Sequence, residues 1–578
     1  MEIVLRGIGV SPGIAIGPAL PFGVRTLDIP RYLVENKEAE WARFEQAVAT
    51  VRGELTRLHE QTMQELGQYH ADIFAAHLLL LDDITIHEEI KSRLDSEGLN
   101  VEFLLDELVG RYSNLLESVE DPRFRERARD LVDVSQRVLE RLLNAEAQTL
   151  ERLETPSVVV AHDLSPSETA KIDLVNALGI ATDMSGPTSH TAILARAFEI
   201  PAVVGLKYVG AHVMPGDMVV LDGTHGQVII RPEEKTLERF RAEKKREEAR
   251  RQALLLADEN LVSTTLDGHA VPTLANIELP VEIAHSLKTK AMGVGLYRTE
   301  YLFLNRGSLP TEEEQFHAYA EVAEAFKPSS VTLRTLDIGG DKFVAHVRSL
   351  PETNPQLGWR AIRFCLERPD IFKAQLRAML RASTFGNVQI MFPLISGVDE
   401  LRQAKAIFRD VCLDLDRRSI PFDRNVKVGS MIEVPSAVAM ADMLAKESDF
   451  FSLGTNDLIQ YSLAVDRGNE RIAHMYEPAH PAILRMIRQT VLAAKAAKIP
   501  CAVCGKMAGD PLFTELLAGL GVDSLSMSTV AIPAVRAQIA TCRMSVARRF
   551  AKRVLAMGSA SDVRALLLER FRGRNEQA

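Results

Sequence analysis

The spacing of hydrophobic residues along this chain changes several times, and each change marks a change of element. Residues 1–20 hold IVLRGIGVSPGIAIGPAL, where short β-branched residues alternate with glycine, and this predicts strand and turn. From about 35 to 145 glycine and proline become scarce. Trp41, Phe44, Val48, Val51, Leu55 and Leu58 recur at steps of three and four, the spacing of a helical seam. ADIFAAHLLLLDD, IHEEIKSRL, NVEFLLDELVGRYSNLLESV and ARDLVDVSQRVLERLL continue the pattern in short, broken pieces, which predicts a bundle rather than a coiled-coil rod. Strand-length apolar runs return in SVVVAHDL, LVNALGIATD, PAVVGL, DMVVLDG and GQVII. This α/β block takes in the opening strand, which has no sheet of its own, so the bundle is an insertion. PEEKTLERFRAEKKREEARRQALLLADEN is a highly charged linker helix.

Beyond it, a strand-then-helix rhythm runs to the end. Eight candidate strands stand out: AVPTLANIE, AMGVGLYR, VTLRTLDIG, VQIMFPLI, KVGSMIEVP, DFFSLGTND, PCAVCG and VDSLSMS. Each is short, apolar and followed by helix-compatible sequence, which suits a (β/α)8 TIM-type barrel. The fold class expected is therefore multidomain α/β. An α/β domain (1–20 and 146–230) carries an all-α helical insertion (21–145), and a linker helix (231–259) leads to the barrel (260–578).

Composition narrows the function. The chain has 578 residues with 46% hydrophobic and 25% charged, ordinary for globular protein with large cores. A net charge of -10 with no basic stripe argues against a nucleic-acid partner. No apolar run approaches the ~20 residues of a membrane span, and the N-terminus lacks a signal-peptide pattern. Five cysteines make no disulfide framework and fit a reducing, cytoplasmic setting.

Two places carry chemistry. In GPTSHTAILARAFEI a glycine turn precedes His190 at the mouth of a helix that Thr188 or Ser189 can cap. Helix N-termini favour anions, so a phosphoryl group on this imidazole sits among N–H donors, and the histidine serves as nucleophile and temporary carrier. The second place is the set of strand ends in the barrel. Arg298, Arg334, Arg360 and Arg467 offer forked donors for phosphate and carboxylate. Glu433 and Asp457, with Asn456 beside them, suit a hard cation such as Mg2+, and Cys504 is placed to deliver a proton. Each residue alone reads as solvated surface; their recurrence at successive strand ends marks a site. Cys501 and Cys504 form a CxxC without the second ligand pair a zinc site needs. His70 and His77 share one helix face, where packing or partner contact is expected rather than metal.

These residues resemble Enzyme I of the bacterial sugar phosphotransferase system, the phosphoenolpyruvate–protein phosphotransferases. The resemblance runs over essentially the whole chain. It rests on GIGVSPGIAIG, DLSPSETA, TSHTAILARAFEIPAVVG, GLYRTEYLF, TLDIGGDK, NPQLGWRAIR, MIEVPSA, FFSLGTNDLIQYSLAVDRGN and CGKMAGDP. It implies that phosphoenolpyruvate binds the barrel, with Mg2+ on Glu433 and Asp457. Arg298, Arg334, Arg467 and Asn456 would hold phosphate and carboxylate, with Arg360 as a further member. It also implies that His190 takes the phosphoryl group on Nε2, that Thr169 orients it, and that Cys504 protonates the enolate to pyruvate. The helical insertion would dock the carrier HPr, with Glu65, Asp72, Asp82 and Asp83 flanking its apolar positions, and a homodimer would form through the barrels.

Two departures from the family pattern are the run Ser185-Gly186-Pro187, where many relatives have Gly-Gly before the variable residue of the histidine loop, and Lys506, where relatives commonly carry glutamate. A cation near Cys504 would favour thiolate, the wrong form for an acid. Among rival readings, a pyruvate,phosphate dikinase or phosphoenolpyruvate synthase needs a nucleotide-binding domain that the segment before the histidine block does not resemble. A regulatory phosphocarrier would show a degenerate barrel, and a nitrogen-regulatory paralogue an extra sensor domain. The sugar-transport enzyme is the expectation.

Overall fold

The computed structural model describes residues 2–22, 29–66, 77–78, 80–117, 122–143, 150, 153, 155–164, 172–184, 190–258, 263–303, 309–339, 354–467, 469 and 472–575. The chain divides into two compact units, Met1–Lys244 with Asn305–Leu309, and Lys245–Leu304 with Pro310–Ala578.

The first unit holds a mixed sheet and a helical bundle. The sheet contains β1 (Ile3–Arg6), β2 (Ile8–Ser11), β3 (Ile14–Phe22), β4 (Ser157–Ala161), β5 (Ala177–Thr182), β6 (Ala202–Val204), β7 (Met218–Asp222) and β8 (Gln227–Ile230). Its order is β1-β8-β7-β3-β4-β5-β6-β2. The opening segment is thus three strands that reach both edges and the middle of the sheet. β3, β4, β5 and β6 run parallel, while β2 closes antiparallel on β6. A tight crossing makes this possible: a side chain on Gly9 would collide with the carbonyl of Gly223. Val159, Ala161, Ile180, Ala202 and Val204 bury one face of the parallel strands, and Val158, Val160, Ala181 and Val203 bury the other. Strands covered on both faces need continuous apolar runs, as SVVVA supplies.

Between β3 and β4 lie α1 (Lys37–Leu66), α2 (Ile84–Glu97), α3 (Val101–Glu117) and α4 (Pro122–Leu142). Phe44, Val48, Val51 and Leu55 of the predicted seam pack with Ile90, Leu94, Leu104 and Leu108. The charged helix Glu234–Asp258 starts anchored rather than solvated, because Leu237 and Phe240 pack on Ile14, Val220 and Ile229.

The second unit is a closed barrel of eight parallel strands. They are β9 (Thr273–Ile277), β10 (Val294–Tyr297), β11 (Val331–Arg334), β12 (Val388–Phe392), β13 (Lys427–Ile432), β14 (Phe451–Leu453), β15 (Cys501–Val503) and β16 (Ser524–Met527). Every one falls inside a predicted strand segment. Closure is made by β16 on β9, with Leu525 opposite Thr273. No helix among the described residues is long and apolar enough to cross a membrane.

Candidate active site

Parallel strands in a closed barrel end on one rim, so residues that follow them converge. Arg334 ends β11, Arg298 follows β10, Glu433 follows β13 and Cys504 follows β15. Asn456 and Asp457 open the helix Thr455–Leu463 after β14, and Arg360 precedes the helix Ala361–Glu367.

The arginines are paired with carboxylates. Arg334 donates to Glu300 at 2.8 Å and forms an ion pair with Asp337 at 2.9 Å. Arg360 donates to the other oxygen of Asp337 at 2.7 Å and to Asp457 at 3.3 Å. Arg467 reaches Asp457 Oδ1 at 3.3 Å, and Arg298 pairs with Glu278. Arg360 also donates to Gln356 at 2.8 Å and to the Tyr461 hydroxyl at 3.1 Å. Asn456 Oδ1 accepts the Lys506 N–H at 2.9 Å, and its carbonyl accepts the Tyr476 hydroxyl at 3.2 Å. One network therefore gathers Arg334, Arg360, Asp457 and Arg467, with Asn456 adjacent in sequence to Asp457.

Burial sets the electrostatics. It pushes the Glu433 carboxyl up to about 8, helped by the nearby charges of Asp457 and Asp337. Burial also works to raise Asp337, but Arg360 and Arg334 overcome it and hold this carboxyl below its ordinary value. The Cys504 thiol, packed among Leu296, Met391, Met431 and Phe450, is pushed up to about 11, chiefly by burial. At neutral pH it is a thiol, the form a proton donor requires. Lys506, two positions on, is exposed.

Several buried polar atoms at the strand ends have no hydrogen-bond partner: Arg334 Nε, Arg360 Nε, Glu300 Oε2, Thr335 Oγ1 and Thr455 Oγ1. Each such group costs about 1–3 kcal/mol. A concentration of them at one barrel mouth is the mark of a place shaped for a polar ligand.

Two buried carboxylates from adjacent strands fit a small divalent cation. Glu433 anchors one oxygen on the Leu394 N–H at 2.7 Å, and its other oxygen lies against the bare Cα of Gly454, where a side chain would collide with it. Among the described residues no group of three or more His, Cys, Asp or Glu side chains is arranged to hold a metal. A cation here would complete its shell with water and substrate oxygens, as Mg2+ commonly does.

In the first unit, His190 opens the helix α5 (His190–Ala197). Ala192 and Ala195 of α5 pack into the core, the Ser11 hydroxyl donates to the Ala195 carbonyl at 3.2 Å, and the Thr191 hydroxyl donates to the Leu164 carbonyl at 3.4 Å. Thr169, Pro187 and the predicted caps Thr188 and Ser189 lie outside the described residues, as do His70 and Asp72. His77 is buried. Asp82 pairs with Arg52, while Asp83 caps α2 by accepting the Thr85 N–H at 2.8 Å. Both therefore also serve the bundle itself. In the barrel, Cys501 is buried with its N–H on Asp523 at 2.8 Å, apart from the apolar cluster that holds Cys504.

Sequence reasoning missed Glu278, Glu300 and Asp337, the counter-ions of the arginines. The signal was present in GLYRTEYLF and TLDIGGDK, where Glu300 lies two residues after Arg298 and Asp337 three after Arg334.

Comparison with known proteins places these features among enzymes that use phosphoenolpyruvate. Residues 6–127 match "PEP-utilising enzyme, N-terminal", 153–226 match "PEP-utilising enzyme, mobile domain" and 252–544 match "PEP-utilising enzyme, PEP-binding domain". The chain is 44% identical to the phosphoenolpyruvate-protein phosphotransferase of Bacillus sp. (strain S) over 571 residues, covering 99% of this chain and 98% of that protein. It is 41% identical to the protein of the same name from Haemophilus influenzae over 569 residues, covering 98% and 99%. A solution structure titled Enzyme I (nEIt) is 39% identical, covering 42% of this chain and 99% of its own at a TM-score of 0.29.

Proposed function

Because the chain belongs to the phosphoenolpyruvate-protein phosphotransferase family, we propose that it moves the phosphoryl group of phosphoenolpyruvate to its own His190, at Nε2. It then passes that group to the histidine of an HPr-type phosphocarrier protein, with release of pyruvate, as the first step of a sugar phosphotransferase system. The observation that carries this reading is the barrel rim. Two arginines at strand ends, Arg298 and Arg334, are joined by Arg360 and Arg467 from later segments, by two buried carboxylates and by a buried protonated thiol, around unsatisfied polar atoms.

Arg298, Arg334, Arg360 and Arg467, with Asn456, bind the phosphate and carboxylate of the substrate and hold it in one orientation. Glu433 and Asp457 would hold Mg2+, which neutralises charge on the phosphate and enol oxygens when bound. His190 Nε2 forms a bond to phosphorus as the bond from phosphorus to the enol oxygen breaks, and the electron pair stays on that oxygen. Cys504 gives its proton to the methylene carbon, and the enolate becomes pyruvate. Little covalent work falls to the protein beyond nucleophile and acid, so positioning and electrostatic neutralisation carry the rate. Thr169 is proposed to orient the imidazole.

The helical bundle is proposed as the docking surface for the carrier, and the barrel as the dimerisation surface. For the latter, exposed Met443 and Leu492 on barrel helices, and Met440 in the turn before Met443, are supporting features. Five free cysteines suit the cytoplasm. Incubation with labelled phosphoenolpyruvate and Mg2+, with and without purified HPr, tests the reading: label enters the chain first and leaves it when HPr is added. A chain that takes no label overturns it.

A further inference from the structure

The reading above gives Asp337 no part, yet this carboxylate lies between two of the rim arginines. Its two oxygens are divided between two arginines, Oδ2 to Arg334 at 2.9 Å and Oδ1 to Arg360 at 2.7 Å. Its side chain is 5% exposed. Its own backbone is pinned as well: the Asp337 N–H donates to Glu300 Oε1 at 3.1 Å, the same oxygen that accepts Arg334 Nη2 at 2.8 Å. One residue back, the Leu336 N–H donates to Gln375 Oε1 at 3.0 Å, and the Gln375 amide donates to Thr299 at 3.1 Å.

Arg334 comes from the end of β11 and Arg360 from the start of a helix well down the chain. Two guanidiniums brought side by side repel, and each long side chain has many rotamers to lose. A carboxylate between them offsets the repulsion, holding Arg360 through a charge-assisted hydrogen bond and Arg334 through an ion pair. Asp337 does this without exhausting the donors, because Arg334 Nε and Arg360 Nε remain buried and without partners. A purely structural ion cluster closes its hydrogen bonds, whereas this one holds two forks in place with donors left over.

We propose that Asp337 is the positioning residue of the arginine cluster, setting Arg334 and Arg360 for the anionic substrate while touching no substrate itself. The proposal rests on the phosphoenolpyruvate reading. It requires a carboxylate of aspartate length: both the charge and its reach matter.

The test uses the full-length chain as wild type, Asp337→Asn and Asp337→Glu, with three readouts. These are the KM and kcat for phosphoenolpyruvate with Mg2+, label transfer in reverse from phosphorylated HPr onto His190, and thermal melting. Both variants are expected to raise KM at least about tenfold, the scale of a lost charge-assisted hydrogen bond, with a smaller change in kcat. Reverse labelling from HPr, which does not use the barrel rim, stays at the wild-type rate. A KM within about twofold of wild type in Asp337→Asn, or restored by Asp337→Glu, overturns the proposal. Equal loss in both labelling directions together with a lowered melting temperature overturns it in favour of a structural role. Wild-type chain that takes label from HPr but none from phosphoenolpyruvate defeats the underlying reading and this proposal with it.

Discussion

The barrel rim and the start of α5 both stand where parallel strands end, and they are built in opposite ways. At the rim, charge is buried and cross-linked: Asp337 between two arginines, Asp457 between Arg360 and Arg467, Glu433 fixed on a backbone N–H. At α5, Ala192 and Ala195 pack into an apolar core, and two hydroxyl-to-carbonyl bonds tie the helix to its surroundings. A site that must recognise one multiply charged small molecule gains from groups locked in advance, because little ordering remains to be done on binding. A nucleophile that must serve a small molecule and then another protein gains instead from a helix start, where N–H donors favour a phosphoryl group from either source. The contrast follows from the proposed division of labour.

The largest effect expected at the rim comes from Cys504→Ala. Pyruvate formation should fall by about a hundred- to ten-thousand-fold, the range for losing a general acid, while phosphoryl capture on His190 persists in a single turnover. Rapid quench with parallel assay of label and pyruvate checks it. The same residue gives a pH signature. Its folded value near 11 lies above the ordinary thiol value of 9.0, so its contribution to stability is fully present below pH 9 and is lost as pH rises towards 11. Urea midpoints of wild type relative to Cys504→Ala should therefore decline between those values and run parallel below them.

Gly454→Ala sharpens the claim that Glu433 is held for a cation. The new methyl group meets the carboxylate, which predicts about 1–3 kcal/mol of destabilisation and a raised Mg2+ requirement for labelling. Denaturant melts and a Mg2+ titration measure the two parts separately. The smallest effect belongs to the bundle. Asp83→Ala removes the cap of α2 and should cost about 1 kcal/mol, read from thermal melts, with labelling from phosphoenolpyruvate unchanged.

How much of this was legible in the sequence depended on whether the information was local. The eight barrel strands were, because a strand buried on both faces must be an unbroken apolar run such as VQIMF, and its helix follows at once. Glu433, Asp457 and Cys504 were also legible, since each follows such a run directly. Asp337, Glu300 and Glu278 were not. In sequence a loop carboxylate looks like solvated surface, and only closure of the barrel brings Asp337 against Arg360, 23 positions away. The three opening strands were read as a single segment, because the breaks between them depend on which edge of the sheet each one joins.

The claim that binding and phosphoryl acceptance reside in separate parts of the chain is tested most directly by His190→Ala. Calorimetric titration with phosphoenolpyruvate and Mg2+ should give binding indistinguishable from wild type, and labelled phosphoenolpyruvate should leave the variant without phosphoryl label. Label retained on His190→Ala, or binding lost along with it, would contradict the account.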